Sequence, residues 1–353
     1  MTKIEAIRSK IKEQGLDAML LFSPVNIRWA TGFYMENGAL LVTGGGAWFL
    51  TDSRYIEAAR EQVQGAEVLL FDQKSRLRDK LTGLLEGFAG IGAEEESLSH
   101  AGWNRWQEQL GRELVPAERT VLDLRAVKDA EEKANIIAAQ RIAERALDEV
   151  LAMLRPGMRE RDVAAELTYR MLLHGGEGNS FDPITVTGSK TSVPHGVPGD
   201  AVIRAGDFFL MDFGCLVRGY CSDMTRTVVV GKATEEMRRV YQTVLDAQKA
   251  GIDRARAGVT GAEIHAAAAA VIADAGYGAC FGHGFGHSLG IEIHEEPGAH
   301  PRNQKPMPAG AVISAEPGIY LPGKFGVRIE DMLYLTAEGS ENLTRAPKNL
   351  IEL

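Results

Sequence analysis

The chain has 353 residues, of which 45% are hydrophobic and 25% charged, and it carries a formal net charge of −9. That length exceeds one typical core and predicts two domains, while the acidic balance argues against nucleic acid or an anionic membrane as partner. No run of about 18 apolar residues offers a membrane span, and three cysteines without CxxC spacing, Cys215, Cys221 and Cys280, fit reduced thiols in a cytoplasm better than a disulfide frame.

The N-terminal stretch mixes charges through its apolar residues and has no signal-peptide pattern. Ile4, Ile7 and Ile11 keep helical spacing up to Gly15. Residues 18–22 read as a buried strand. Residues 39–43 and 47–50 read as a hairpin turning at Gly44-Gly-Gly46, and 68–71 as another short strand. Helices are expected over 54–64, 75–87 and 99–111. This alternation predicts a small α/β domain up to about residue 120, with no catalytic constellation in it. The pair Asp52 and Arg54 reads as a structural ion pair.

Residues 129–154 form a long charged helix closed by Pro156-Gly157, and it opens a second domain. A helix over 160–173 follows, then strands near 184–187, 207–214 and 224–230, and helices over 235–256 and 261–275. Strands at 311–316 and 327–335 close the chain. Clustered Pro and Gly mark loops at 194–199, 297–310 and 317–326. Between the helices and the last strands lies Phe281 to His294, which holds three of the chain's eight histidines: His283, His287 and His294. Glycines at 282, 284, 286 and 290 exclude a stable helix there. They let the backbone approach closely and set imidazoles around one point.

A weak internal repeat runs through the second domain. Ala205-Gly206-Asp-Phe-Phe-Leu-Met-Asp212-Phe-Gly214 aligns with Ala309-Gly310-Ala-Val-Ile-Ser-Ala-Glu316-Pro-Gly318. In each half a carboxylate ends an apolar strand and a second follows: Asp223 after Asp212, and Glu330 after Glu316. An ionised carboxylate buried in such a strand is costly unless compensated. If the strands flanking a turn near 217–219 pair, Asp212 and Asp223 share one face, so either one is protonated or a cation sits between them. Four carboxylates with one or two imidazoles make an oxygen-rich site with room for two divalent metals. Asp212-Phe-Gly is not a kinase motif here, because no glycine-rich loop with its lysine and no His-Arg-Asp loop accompanies it. Cys215 and Cys221 read as small packing residues.

Seven stretches occur in order: Val193-Pro-His-Gly196, Met211-Asp-Phe-Gly214, Gly219-Tyr-Cys-Ser-Asp-Met-Thr-Arg-Thr227, Gly282-His-Gly-Phe-Gly-His287, Ile293-His-Glu-Glu-Pro297, Ala315-Glu-Pro-Gly-Ile-Tyr320 and Val327-Arg-Ile-Glu-Asp331. Through them residues 128–353 resemble the pita-bread metallopeptidases, the fold of methionine aminopeptidase, aminopeptidase P and prolidase. Thr31-Gly-Phe-Tyr34 and Asp52-Ser-Arg-Tyr55 resemble, more loosely, the creatinase-type N-terminal domain of the prolidase and aminopeptidase P branch. The resemblance implies an α+β chain. Residues 1–122 would form a smaller α/β creatinase-like domain, and 123–353 a catalytic pita-bread domain with a pseudo-two-fold repeat. It implies a cytoplasmic homodimer with two divalent metals per subunit, manganese foremost, with cobalt or zinc as substitutes. The implied activity is hydrolysis of the Xaa-Pro bond at the N-terminus of dipeptides or short peptides by a metal-bridging hydroxide. A broader aminopeptidase that includes Met-Xaa bonds and a non-catalytic peptide-binding member are the alternatives.

The resemblance also implies roles. Asp212 would chelate one metal, Asp223 and Glu330 would bridge both, and His287 and Glu316 would complete the second. Glu316 would handle the proton of the bridging water. His195 and His294 would steady the scissile carbonyl or protonate the leaving nitrogen, and His283 and Arg328 would line the substrate site. Ser288 stands where glycine is frequent in the family, a minor departure.

Overall fold

Thr2 starts the first element. Its hydroxyl accepts the Glu5 amide at 3.2 Å, and the Glu5 carboxylate accepts the Thr2 amide at 2.7 Å. This reciprocal cap satisfies two donors that a helix end leaves free. The helix that follows, α1 (Lys3–Glu13), buries Ile4, Ile7 and Ile11. The computed structural model describes residues 1–353, and the chain divides into two units, Met1–Arg125 and Ala126–Leu353.

In the first unit α1 is followed by β1 (Ala18–Leu21), α2 (Pro24–Thr31), β2 (Gly38–Thr43), β3 (Ala47–Thr51), α3 (Ile56–Gln62), β4 (Glu67–Leu70), α4 (Leu77–Leu84), β5 (Ile91–Ala93), α5 (His100–Leu110), β6 (Val115–Pro116) and α6 (Glu118–Arg125). They build one sheet of order β4-β3-β2-β1-β5-β6. β2 runs antiparallel to β1 and β3, and the remaining pairs are parallel. The hairpin at Gly44–Gly46 forms as expected. Four elements exceed the sequence reading: α2, β5, β6 and α6 are each eight residues or fewer, too short for a periodic signal to stand out. Asp52 pairs with Arg54 at 2.7 Å. The expected domain break at 122/123 falls inside α6, and the helix stays whole in the first unit. Its Val121 is buried, and its last residue, Arg125, donates from Nη1 to Asn26 Oδ1 at 2.6 Å.

The second unit begins with α7 (Ala130–Met153), capped by Asp129 and Glu132 in the same reciprocal manner. It continues with α8 (Glu160–Leu173), β7 (Gly178–Asn179), β8 (Ile184–Thr187), β9 (Asp207–Phe213), β10 (Cys215–Val217), β11 (Tyr220–Cys221), β12 (Met224–Val230), α9 (Glu235–Arg254) and α10 (Gly261–Asp274). The chain closes with β13 (Gly286–Ser288), β14 (Glu295–Ala299), β15 (Val312–Ala315), β16 (Gly318–Leu321), β17 (Phe325–Arg328), β18 (Asp331–Leu335) and β19 (Ser340–Asn342). Two antiparallel sheets dominate, β12-β9-β8 and β14-β13-β15-β18-β19. One core packs Phe208 and Val229 with α9, α10 and the second sheet. The other packs Phe209, Met211 and Phe213 with α7 and α8. No helix is long and apolar enough to cross a membrane.

The ten-residue repeat has structural content. Gly206 and Gly310 both take the left-handed conformation, with φ of +92° and +89°, which glycine adopts without steric cost. Each turns the chain into a strand, β9 or β15. β9 pairs with β12 so that Asp212 lies opposite Thr225. β15 pairs with β18 so that Ala315 lies opposite Asp331.

Three expectations need correction toward the C-terminus. The loop expected over 317–326 is a hairpin, with Gly318 opposite Arg328 and Leu321 opposite Phe325. Pro317, Gly318, Pro322 and Gly323 sit at its ends and turn, and Gly326 alone lies within a strand body, opposite Tyr320. The single strand expected over 327–335 is two, β17 and β18, because Glu330 between them donates its amide to the Thr225 carbonyl of β12 at 3.1 Å. β14 also occupies the start of the loop expected over 297–310.

Candidate metal centre

Side chains alternate along β9. Phe209, Met211 and Phe213 enter one core, so Asp212 shares the opposite face with Phe208. Asp223 follows the β10–β11 turn, where Arg218 and Gly219 have positive φ and the Glu177 carboxylate accepts both their amides, at 2.8 and 2.9 Å. Asp212 lies opposite Thr225, and Asp223 is two residues before Thr225. The period of two therefore puts both aspartates on one face, as the spacing predicted.

The other half meets them. His287 Nε2 lies 3.4 Å from Asp223 Oδ2 and 3.4 Å from Glu316 Oε1. Its Nδ1 is 3.1 Å from the Ser288 carbonyl. A carbonyl only accepts, so Nδ1 carries a hydrogen in either state of the ring, and Nε2 faces the carboxylates, presenting a lone pair there only when the ring is neutral. Ser314 is fully buried; its hydroxyl accepts the His287 amide at 3.0 Å and donates to Glu316 Oε1 at 3.0 Å. Thr225 donates to Glu330 Oε2 at 2.7 Å and accepts from Arg328 Nε at 3.0 Å. Arg328 pairs with Asp212 at 2.5 Å and donates to the Tyr320 hydroxyl at 2.9 Å.

Burial and mutual repulsion dominate the electrostatics. Burial pushes Asp212 up to about 7; Arg328 opposes this, and Asp223 and Glu316 add to it. Asp223 is raised by burial against the pull of His287. Glu330 is raised well above the carboxylate range by burial and then by Asp223, Glu316 and Asp212. Burial works against charge on His287, but its hydrogen bond to Asp223 and the charge of Glu316 lift it to about 9. Positive charge is what this cluster lacks.

Three buried carboxylate oxygens here have no hydrogen-bond partner: Asp212 Oδ1, Asp223 Oδ1 and Glu330 Oε1. A buried acceptor left unpaired costs about 1–3 kcal/mol, and more when charged. Ligand atoms of Asp223, His287 and Glu330 also lie within 4.8 Å of one another. Hard oxygen donors with one imidazole suit divalent cations of the manganese type, so the residues present fit a metal centre.

All nine residues singled out from the sequence line one cavity of about 840 Å³: His195, Asp212, Asp223, His283, His287, His294, Glu316, Arg328 and Glu330. His195 is exposed on the loop after the 3₁₀ turn Gly188–Ser192, next to Pro194, whose carbonyl is 3.4 Å from Arg328 Nη1. The His294 ring lies 4.4 Å from that of His287. Burial, then the proximity of His287, lowers its pKa. His283 accepts at Nε2 from the Tyr320 hydroxyl at 3.0 Å, with Nδ1 donating to the Gly284 carbonyl at 2.8 Å; burial lowers its pKa too. Sequence reasoning missed Tyr320, Thr225 and Ser314. Each lies in or beside a recognised motif, but a hydroxyl in a strand carries no local sign of the partner it reaches across the fold.

Known proteins share this chain's sequence and fold. The profile of metallopeptidase family M24 matches residues 134–337, and that of the creatinase/prolidase N-terminal domain matches residues 3–127. The peptidase YqhT of Bacillus subtilis is 39% identical over 99% of this chain and 100% of its own length. The structure of an Xaa-Pro dipeptidase from Bacillus anthracis superposes with a TM-score of 0.95 at 37% identity, covering 99% of both chains. That of an X-Pro aminopeptidase from Thermotoga maritima does so with a TM-score of 0.93 at 35% identity, covering 100% of both. Profile matches to both units and full-length structural likeness lead to one conclusion: the chain belongs to metallopeptidase family M24, with a creatinase/prolidase N-terminal domain ahead of a catalytic pita-bread domain.

Proposed function

We propose that this metallopeptidase is an exopeptidase that releases the N-terminal residue before proline from dipeptides or short peptides. The observation that carries the reading is the set of three buried, unpartnered carboxylate oxygens on Asp212, Asp223 and Glu330 facing His287 in one cavity. Relatives named as Xaa-Pro dipeptidases and an X-Pro aminopeptidase support the substrate class.

Asp212, Asp223, His287, Glu316 and Glu330 would hold the divalent ions; manganese fits this oxygen-rich donor set best, ahead of cobalt or zinc. When bound, the ions lower the pKa of a water and polarise the scissile carbonyl. The residues of the chain supply the proton handling. Glu316, oriented by Ser314 at 3.0 Å, takes the proton of the attacking water. His294 is held below its ordinary pKa by burial, so it is neutral near pH 7 and accepts a proton before passing it on. The prolyl nitrogen has no N–H of its own and must be protonated as it leaves; His294 or the exposed His195 delivers that proton. Arg328 neutralises Asp212 and, through Tyr320, fixes His283 on the cavity wall. Arg302 is an exposed cation in the same lining and is available to the carboxylate of a dipeptide.

A homodimer in the cytoplasm completes the proposal. Three unpaired cysteines support a reducing compartment, and the family resemblance supports the dimer, which sedimentation would test. The function is tested by assaying metal-stripped and manganese-loaded protein on Xaa-Pro dipeptides, Xaa-Pro-Xaa peptides and Met-Ala peptides. Manganese-dependent cleavage confined to the proline substrates is expected. Equal cleavage of Met-Ala peptides would widen the specificity, and no cleavage of any of them would sink the reading.

A further inference from the structure

α9 approaches the segment that enters β13 very closely. A Cβ on its Gly251 would lie 2.2 Å from the Phe285 ring, so only glycine permits this contact. One turn earlier Gln248 is fully buried between Val244, Ala247 and Gly251 on the core face of the helix. An amide in that apolar setting needs partners. Gln248 Nε2 donates to the Ala315 carbonyl at 2.9 Å and to the Ile329 carbonyl at 3.2 Å. Two carbonyl oxygens can only accept, which orients the NH₂ toward them. Its Oε1 is left buried without a partner, a cost that a methionine of similar volume would avoid.

Ala315 and Ile329 immediately precede Glu316 and Glu330. A peptide group is planar, and its plane contains the Cα of the following residue. Gln248 therefore grips the two peptide planes that carry the Cα atoms of both glutamates. Backbone bonds hold the opposite edges of these planes. The Glu316 amide donates to the Phe285 carbonyl at 2.8 Å, and the Glu330 amide to the Thr225 carbonyl at 3.1 Å. Phe285 lies two residues before His287, and Thr225 two after Asp223. One side chain thus ties together the segments that bring Asp223, His287, Glu316 and Glu330 to the cavity.

We propose that Gln248 is a positioning residue that sets the separation of Glu316 and Glu330 and, through it, the affinity of the centre for its cations; this rests on the metal-centre reading above. The helix contributes no ligand of its own, yet it determines how far apart the two halves of the repeat hold their carboxylates. Outer partners of metal ligands typically change affinity by about 10–100-fold when removed, and Gln248 acts on two ligands at once.

The test is calorimetric titration of Mn²⁺ into metal-free wild type, Gln248→Met and Gln248→Glu, with thermal unfolding of the same metal-free proteins. Gln248→Met is expected to weaken Mn²⁺ binding by about 10–100-fold, with an unchanged far-UV spectrum and with activity partly restored at saturating Mn²⁺. Gln248→Glu keeps the shape and, when protonated, one donor, so its loss of affinity should grow as pH rises. A folded variant that binds Mn²⁺ like wild type while its metal-free melting temperature falls would overturn the proposal, since Gln248 would then hold only the fold. If neither variant folds, the proposal is overturned on the same ground. If the wild type itself binds no Mn²⁺, it is the metal-centre reading that fails.

Discussion

Gly286→Ala is the sharpest perturbation of the centre that leaves every charged group in place. A Cβ at Gly286 would lie 2.0 Å from the Ser314 carbonyl oxygen, 2.6 Å from its carbon and 2.7 Å from its hydroxyl. Ordinary contact begins near 3.4 Å, so the strands must part by about 1.4 Å there. Ser314 cannot rotate its carbonyl away, because β15 is paired to β18 along its length. Its hydroxyl also links the His287 amide to Glu316, so the displacement reaches both residues. Overpacking of this kind costs about 1–3 kcal/mol of stability. A shift of about 1 Å at reacting groups lowers rate on the order of 100-fold, about 2.7 kcal/mol in the barrier. Steady-state kcat/KM on an Xaa-Pro dipeptide at saturating manganese, together with the melting temperature of the metal-free protein, would measure both effects. Gly282→Ala is the control from the same motif: nothing lies within 4 Å of a Cβ there, and activity should stay within about threefold of wild type. Gly286→Ala retaining activity within that same margin, or Gly282→Ala falling as far as Gly286→Ala, would refute the reasoning.

Three further outcomes are expected. Asp223→Asn should abolish activity and lower manganese stoichiometry together, because it removes a buried charge 3.4 Å from His287; full activity in that variant would disprove its role. Glu94, fully buried in the first unit, is pushed up to about 7 by burial although it accepts the amides of Phe22 and Ser23 and the side chain of Asn26. Its folded pKa exceeds the unfolded value of 4.5, so its contribution is fully present below pH 4.5 and declines as pH rises toward 7, by roughly 3 kcal/mol. The stability of Glu94→Gln relative to wild type should therefore improve across that window, and denaturant titrations showing a constant difference from pH 4.5 to 7 would contradict this. Arg302→Ala should raise KM for Xaa-Pro dipeptides while sparing the corresponding dipeptide amides, and equal effects on both would remove Arg302 from carboxylate recognition.

The carboxylates of the candidate metal centre were legible because they break a pattern. Asp212 interrupts an apolar strand, and Glu316 does so at the same offset from Gly310 as Asp212 from Gly206. Burial of ionisable groups at matched positions needs a common compensation, and that need is visible without coordinates. The division into two units was legible from the change in element pattern near residue 120, but its position was not. α6 has too few apolar residues to show its own period, and its membership of the first unit rests on contacts such as Arg125 to Asn26. The hairpin over 318–328 was hidden because Pro and Gly at its ends and turn resemble those of an irregular loop.

The sequence by itself determined which side chains share a face. Strand periodicity and the turn at 217–219 put Asp212 and Asp223 together, and the glycines of Phe281 to His294 allowed imidazoles to approach them. These are local consequences of backbone geometry. Only the tertiary structure decided what compensates them. Arg328 reaches Asp212 across 116 residues of sequence, Thr225 reaches Glu330 across 105, and Gln248 reaches Ala315 and Ile329 from a helix across 67 and 81. Such pairings depend on how two sheets and a helix pack, and no period along the chain encodes that packing.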